Sequence, residues 1–236
     1  MVVEELDSTQ DRVKESSFEP FVPLVALRQT KGRGRKGNVW FSPPNAGLYM
    51  SVKIPKEFFK NEEIGCVSLV AGFSVSKTID SYILSQIKWP NDVYVKGKKV
   101  AGILTEVSKG SVVIGVGVNL NMDRFPPELS KVATSLFLAT GWWVDFEEFL
   151  NLLLENLEKD LQKYAKAGFD PFVEGINRKL LWKGKRVLIS NERGKLLGIN
   201  RKGMAVIRTC YGAIKEFPYG EISLRADKST YSSSRI

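Results

Sequence analysis

The chain has 236 residues, enough for one large domain and a small one, and 43% of them are hydrophobic, as in ordinary globular proteins. It contains no histidine, which excludes His-assisted Ser or Cys triads, HExxH metal sites and every His general base. The net charge is +9, and +8 of it falls from Lys183 onward, a basic piece suited to nucleic acid, an acidic protein or a polyphosphate, or simply to solubility.

Two cysteines, Cys66 and Cys210, are too few for a disulfide framework or a four-cysteine zinc site, and read as small core residues of a reducing cytoplasm. No apolar run reaches the length of a membrane span. The start, MVVEELDSTQ, has neither the basic nor the apolar part of an export signal, so a cytoplasmic location is expected.

In chain order, Ser8-Thr9-Gln10-Asp11 has capping-box spacing before a polar helical stretch. Phe21–Leu27 is strand-like. Lys31–Gly37 (KGRGRKG) is a loop with three glycines and four cations. Backbone N–H groups in such a loop can approach an anion closely. A solvated basic turn is the alternative. The loop is not a Walker A sequence, and its GxGxxG match carries Arg and Lys where close helix packing is needed.

Gly47–Ile54 alternates as a strand. Apolar residues from Ile64 to Tyr82 recur at helical spacing and predict a helix over 62–83. Val93–Val95, Val100–Val107 and Val112–Asn119 predict an antiparallel meander, with Lys96-Gly97-Lys98 and Lys109-Gly110 as turns. Lys88-Trp89-Pro90-Asn91-Asp92 precedes it, either as a hairpin corner or as a site. Lys99 opens an apolar strand, either as a solvated edge charge or as a buried cation facing an anion. Gly102, inside that strand, signals close approach of another group.

Asp145–Ala167 predicts a long helix with Phe149, Leu153, Leu157, Leu161 and Tyr164 on one stripe, ended by Gly168. Asp170-Pro171 opens another, with Asp170 as its cap. After Trp182, short β runs alternate with glycine turns, as in a small barrel. The expected division is a domain over 1–182, a barrel over 183–228 and a disordered tail over 229–236.

The segments LDSTQ (6–10), RQTKGRGRKG (28–37), GLYMSV (47–52), KWPNDVYVKGKKVAGIL (88–104), IGVGVNLN (114–121) and GEISLR (220–225) resemble, in order, those of the biotin protein ligases. The resemblance implies an α+β fold: a mixed β-sheet flanked by helices, as in class II aminoacyl-tRNA synthetases, then an SH3-like barrel. It implies activation of biotin by ATP as biotinyl-5'-adenylate and transfer to a lysine of a biotin carboxyl carrier protein. A lipoate or octanoate ligase of the same fold is the nearest alternative, and a nucleic-acid-binding module a remoter one. Neither chemical step needs histidine.

Position by position, the resemblance places Ser8, Thr9, Gln10, Gln29 and Gly102 at biotin. It makes Gly32, Arg33, Gly34 and Arg35 a closing loop over the carboxylate and phosphate. Trp40, Lys88, Asn91, Asn119 and Arg225 fall to ATP or the adenylate. Lys99, Arg35 and Asp92 fall to catalysis, with Asp92 orienting or deprotonating the incoming lysine. Mg²⁺ is expected to arrive on the ATP phosphates, because no carboxylate set marks a protein cage. Asn38 departs from the pattern, which usually has a cation there. With five residues ahead of Leu6, the winged-helix DNA-binding domain of some members is not expected. The resemblance suggests a homodimer through a sheet edge, with a monomer as the alternative.

Overall fold

A computed structural model describes residues 1–59, 64–219 and 224–227. The chain begins with β1 (Val2–Leu6), the short helix α1 (Thr9–Arg12) and β2 (Leu24–Gln29). The glycine-rich segment follows, then β3 (Gly47–Pro55) and the helix α2 (Ile64–Asp80). β4 (Gln86–Lys88), β5 (Asp92–Val95), β6 (Lys98–Ser108) and β7 (Ser111–Asn119) form the meander. Short helices α3 (Pro127–Ser130) and α4 (Leu136–Thr140) lead to α5 (Phe146–Ala167) and α6 (Asp170–Lys179).

One seven-stranded sheet runs β1-β2-β3-β7-β6-β5-β4, parallel between β1 and β2 and antiparallel elsewhere. Both predicted turns are two-residue hairpin turns. Lys96 and Gly97 (φ 48° and 77°), and Lys109 and Gly110 (47° and 73°), are left-handed, matching the twist of the paired strands. Lys109-Gly110 therefore sets the β6–β7 register, which pairs Gly102 with Gly117 and Leu104 with Gly115.

The strand period assigns each sheet face a different task. Leu48, Met50, Val52 and Ile54 of β3, with Ile114, Val116 and Val118 of β7, join the core shared with α2 and α5. The alternate residues Tyr49, Ser51, Gly115 and Gly117 face the other way. β3 is buried at nearly every position because both faces are covered, so its alternation separates core from site rather than core from solvent. The stripe of α5 buries Phe149, Leu153, Leu157, Leu161 and Tyr164 as its periodicity predicts, and Gly168 ends it at φ 69°.

A second, antiparallel sheet holds β8 (Arg186–Ile189), β9 (Glu192–Ile199), β10 (Ala205–Thr209), β11 (Ile214–Phe217) and β12 (Leu224–Ala226), in the order β11-β10-β9-β8-β12. It is joined to the first unit by a continuous core and by Trp89, whose buried Nε1 donates to the Gly203 carbonyl at 2.9 Å. The tail over 229–236 lies outside the described residues, as do positions 220–223 of the last family segment.

Three local expectations are corrected. The Ser8 side chain makes no capping bond, so the capping box does not form. Asp170 is the first residue of α6 rather than its cap, and Phe169 precedes it. Cys66 is buried, but Cys210 is exposed, because it follows the end of β10 at a turn. β1 and β4 were not anticipated: β1 is largely exposed and charged, and β4 is three residues long.

Asp160 is the polar member of the α5 stripe and is 5% exposed. It accepts from Ser74 Oγ at 2.7 Å and from Lys77 Nζ at 2.9 Å, both on α2. Removing the carboxylate takes the acceptor from the half-buried Lys77 ammonium and leaves the buried Ser74 hydroxyl only the Val70 carbonyl. Asp160→Ala is expected to lower unfolding stability by about 2 kcal/mol in urea titrations; an unchanged midpoint and slope would contradict this account.

Candidate active site

The site rests on a bare patch of sheet. Gly102 and its cross-strand partner Gly117 lie side by side, and Gly115 follows on β7. The Trp40 indole occupies the space side chains would take: a Cβ at Gly117 would fall 2.5 Å from Trp40 Cε2, and one at Gly102 would fall 3.0 Å from Trp40 Cζ3. A Cβ at Gly115 would fall 2.4 Å from Gln10 Oε1. The close approach expected at Gly102 is therefore present, and it involves Trp40 and Lys99.

A cavity opens over this patch, lined by Thr9, Gln10, Gln29, Ser51, the Arg33–Arg35 segment, Trp40, Asn91, Lys99 and neighbouring β6 and β7 positions. It contains about 440 Å³ of non-protein space, with solvent at its mouth included. Its inner end is polar. Gln29 Oε1 accepts from Thr9 N at 2.8 Å and from Thr9 Oγ1 at 3.1 Å. Thr9 Oγ1 and Ser51 Oγ are 2.8 Å apart, and Ser51 Oγ donates to Gln10 Oε1 over 3.2 Å. Ser8 is 2% exposed beside them, and its hydroxyl is buried with no hydrogen-bond partner among the described residues.

The glycine loop folds back on itself. Trp40 N donates to Gly32 O at 2.9 Å, and Gly34 N donates to Asn38 O at 2.7 Å. Asn38 Nδ2 donates to Arg35 O at 2.8 Å, closing a tight turn in which Lys36 is left-handed (φ 58°). Gly32 packs so tightly that a Cβ would fall 2.5 Å from Trp40 O.

The loop's cations meet this chain's own groups. The Arg33 guanidinium lies 2.5 Å from Asp11 and 3.0 Å from Glu106. Lys31 pairs with Asp7 at 2.8 Å, and Arg35 donates to Asn91 Oδ1 at 2.7 Å. Asn91 is itself oriented by donating to Ile103 O at 2.9 Å.

Lys99 Nζ sits 2.7 Å from Asp92 Oδ1 and 5.1 Å from the Trp40 ring centroid. It is thus a partly buried cation facing an anion, the second of its two sequence readings. Its backbone is bracketed by Val132 O and Thr134 N. On its far side a second, more apolar cavity is lined by Val39, Trp40, Phe41, Tyr94, Lys99, Asn119, Phe125, Leu129, Val132 and Ala133. Asn119 is buried there and donates to Thr134 O at 2.9 Å. The Trp40 Nε1–H is buried with no partner among the described residues.

The structure thus brings Thr9, Gln10, Gln29, Arg33, Gly34, Arg35, Trp40, Asn91, Lys99 and Gly102 to one cavity, with Asp92 paired to Lys99, and adds Asn119 through the second. Ser8 and Gly32 pack just behind the linings. Lys88 and Arg225 stand apart from both. Lys88 Nζ lies 5.3 Å from the Tyr94 ring centroid and 5.6 Å from that of Trp182. Burial pushes its ammonium below the ordinary lysine range, Asp92 opposes this, and the charges of Lys99 and Arg225 add to it. Arg225 is exposed on β12.

Sequence reasoning missed Ser51, Gly115, Gly117 and Glu106 as site residues. The alternate glycines of IGVGV were the available signal, since two glycines on one face of a strand call for a close neighbour. Ser51 had a weaker one, a small polar residue within an apolar strand. Glu106 had none.

Residues 2–123 match the Biotin/lipoate A/B protein ligase family. With the fold and site above, this chain belongs to that family. Proteins similar to it include named biotin ligases. The structure of biotin protein ligase from Aquifex aeolicus in complex with biotin and ATP is similar with a TM-score of 0.90 at 40% identity, over 96% of this chain and 98% of that one. The bifunctional ligase/repressor BirA of Bacillus spizizenii is 36% identical over 220 residues, 85% of this chain and 65% of its own length. The biotin–[acetyl-CoA-carboxylase] ligase of Mycobacterium tuberculosis is 36% identical over 151 residues, 62% of this chain and 56% of its own. The chain therefore spans about 65% of the length of the BirA relatives it matches.

Burial pushes the Glu106 carboxyl up, but hydrogen bonds from Lys14 and Gln10 and the charges of Lys14 and Arg33 hold it below its ordinary 4.5. A carboxyl lowered on folding contributes stability above its unfolded value and loses it as pH falls through the folded one. Amide exchange protection of the loop, corrected for intrinsic rates, is expected to be the same at about pH 7 and pH 5 and to fall only below 4.5. Loss of protection by about pH 6 would contradict the pairing.

Proposed function

We propose that this chain joins biotin to ATP as biotinyl-5'-adenylate and passes the biotinyl group to a lysine of a biotin carboxyl carrier protein. The observation that carries the reading is the single cavity with a hydrogen-bonding inner end and a cationic outer end, continued past Lys99 by an apolar cavity. Biotin has a ureido ring at one end and a carboxylate at the other, and adenine requires a flat apolar slot. The Aquifex protein of the same fold is described in complex with both ligands.

In this reading Ser8, Thr9, Gln10 and Gln29 receive the ureido ring, and Ser51 joins them. The Ser8 hydroxyl supplies a donor that otherwise lacks a partner. Gly102 and Gly117 let Trp40, and Gly115 lets Gln10, lie close on the sheet, and the bicycle occupies the cavity they line. Trp40 and Asn119 take the adenine side. The acid tail then reaches Lys99 and the Arg33–Arg35 loop. Lys88 and Arg225 serve from outside the cavities, where they add positive potential for the triphosphate.

A biotin carboxylate oxygen attacks the α-phosphorus of ATP, and pyrophosphate leaves. Bringing two like charges within 4 Å costs roughly 4 kcal/mol at an effective dielectric of 20. Lys99, Arg35 and the loop N–H groups offset that repulsion, most strongly as charge builds in the transition state. The loop over the cavity excludes water from the mixed anhydride. The carrier lysine then attacks the carbonyl, AMP leaves with the bonding electrons, and Asp92 orients the amine and takes its proton.

Among the described residues no group of three or more Asp, Glu, Cys or His is placed to hold a metal ion. The carboxylates nearest the cavity, Asp92 and Glu106, are already paired with Lys99 and with Lys14 and Arg33. Magnesium is therefore assigned to the ATP phosphates, and no protein step depends on it here. A lipoate or octanoate ligase fits less well, because an acyl or dithiolane end has no N–H or C=O to offer the polar inner end, where the buried Ser8 hydroxyl has no partner among the described residues.

Biotin-dependent ATP–pyrophosphate exchange tests the reading, and Lys99→Ala is expected to slow it by about 100-fold. Exchange that requires octanoate or lipoate instead of biotin would overturn the assigned substrate, and normal exchange by the variant would remove Lys99 from catalysis. Asn38 offers a second test. It holds the loop turn but adds no charge, so Asn38→Arg is expected to slow release of biotinyl-adenylate in a chase experiment. An unchanged release rate would show that a cation at this position does not retain the adenylate.

A further inference from the structure

Glu106 touches Gln10 and Arg33, which the proposed function uses, and Lys14, yet it lines neither cavity. Its Oε2 accepts from Gln10 Nε2 at 2.9 Å and from Lys14 Nζ at 2.7 Å. Arg33 donates to its Oε1 at 3.0 Å and to its Oε2 at 3.3 Å. Its side chain is 28% exposed, so these bonds are partly shielded from water.

An ionised carboxylate only accepts hydrogen bonds. The two ends of a glutamine amide are distinguished by their partners, and Glu106 can face only the Nε2 end of Gln10. Two weaker contacts agree, since Nε2 also points to the carbonyls of Leu104 at 3.4 Å and Val113 at 3.5 Å. The Oε1 end is thereby turned to Ser51 and Gly115, at the inner end of the cavity.

That orientation leaves the inner end short of hydrogen. Thr9 and Ser51 each carry one hydroxyl hydrogen. Three contacts draw on them: Thr9 to Gln29, Thr9 with Ser51, and Ser51 to Gln10. One contact is always without a hydrogen, and a ligand N–H directed at Gln10 Oε1 completes the set. A flipped Gln10 would present its own N–H groups and repel the same ligand.

We propose that Glu106 is a positioning residue that locks the Gln10 amide with its acceptor end toward the ligand, so that the cavity selects an N–H donor, while its bonds to Arg33 hold the glycine loop above the same ligand. The inference rests on the reading of biotin as that ligand, and its ureido N–H is the donor. Asp11 shares Arg33, so loss of the Glu106 charge weakens the loop anchor without abolishing it, whereas Glu106 is the one charged acceptor of Gln10 among the described residues.

The test is biotin-dependent ATP–pyrophosphate exchange by the full chain, with Glu106→Gln as the first variant. A glutamine at this position can donate to Gln10 Oε1 and so permits the flip. The expected result is a rise of at least about 10-fold in KM for biotin, with a much smaller change in kcat and in KM for ATP. A biotin analogue with a cyclic carbonate in place of the ureido ring, which has no N–H to donate, should gain on biotin as a competitor in the variant. The swapped pair Gln10→Glu/Glu106→Gln restores an acceptor-only group facing the cavity and should recover affinity for biotin over the carbonate. An unmoved KM for biotin in Glu106→Gln would overturn the inference. So would parallel losses in both KM values and kcat that the swap does not repair, since those mark general loosening. Wild-type exchange that does not require biotin would instead overturn the functional reading, and this inference with it.

Discussion

The site depends on how closely one indole can lie on a sheet. Trp40 rests against Gly102 and Gly117, a cross-strand glycine pair set in register by the Lys109-Gly110 turn. From that seat its backbone closes the glycine loop through Gly32, its carbonyl accepts from Ser42, and its ring lies beneath Lys99. A methyl group at Gly117 would overlap the ring by more than any side-chain relaxation absorbs cheaply. The register of a hairpin thus decides where the loop begins, where the lysine ammonium is held, and how the two cavities meet.

Electrostatics work within that frame. A loop with four cations in six residues would repel itself, and the structure answers with internal anions. Asp7 takes Lys31, Asp11 and Glu106 take Arg33, and Asp92 takes Lys99. Lys31 and Arg33 of the loop, and Lys99 beside it, are therefore held in place without a ligand, which on the proposed function lowers the reorganisation needed when a phosphate or carboxylate enters. A ligand anion at Lys99 meets a group already partly desolvated, so much of that cost is borne in folding rather than in binding.

The two segments that stood out in the sequence are also neighbours in space. Arg35 of the glycine loop donates to Asn91 of the Trp-Pro-Asn-Asp corner, and Trp40 covers Lys99. Local chemistry made them legible: glycines and cations in one, proline and turn residues in the other. The α5 stripe and the hairpin turns were legible for the same reason, since period and turn residues act over a few positions. What stayed hidden depends on distant pairing. Glu106 is an ordinary strand glutamate until the fold places it against Gln10 and Arg33, 96 and 73 positions away. The Ser8 hydroxyl looked like a helix cap because the alternative, a buried group with no partner among the described residues, has no local signature. Cys210 looked like core because its residue type is usually buried, and a turn after β10 overrode that preference.

Only Trp40 and Lys99 belong to the linings of both cavities. On the proposed function this places the reacting carboxylate and α-phosphorus at the junction, since one substrate fills each side and their reacting ends must touch. The cation common to both linings is the Lys99 ammonium, and its counterion, Asp92, comes from the strand beside it. Histidine would add little here. The first step moves no proton at the reacting atoms, and the second releases one from an attacking amine that Asp92 can accept. On the proposed function, one cation, one carboxylate and one indole suffice for both steps, and neither calls for an imidazole, which the 236 residues lack.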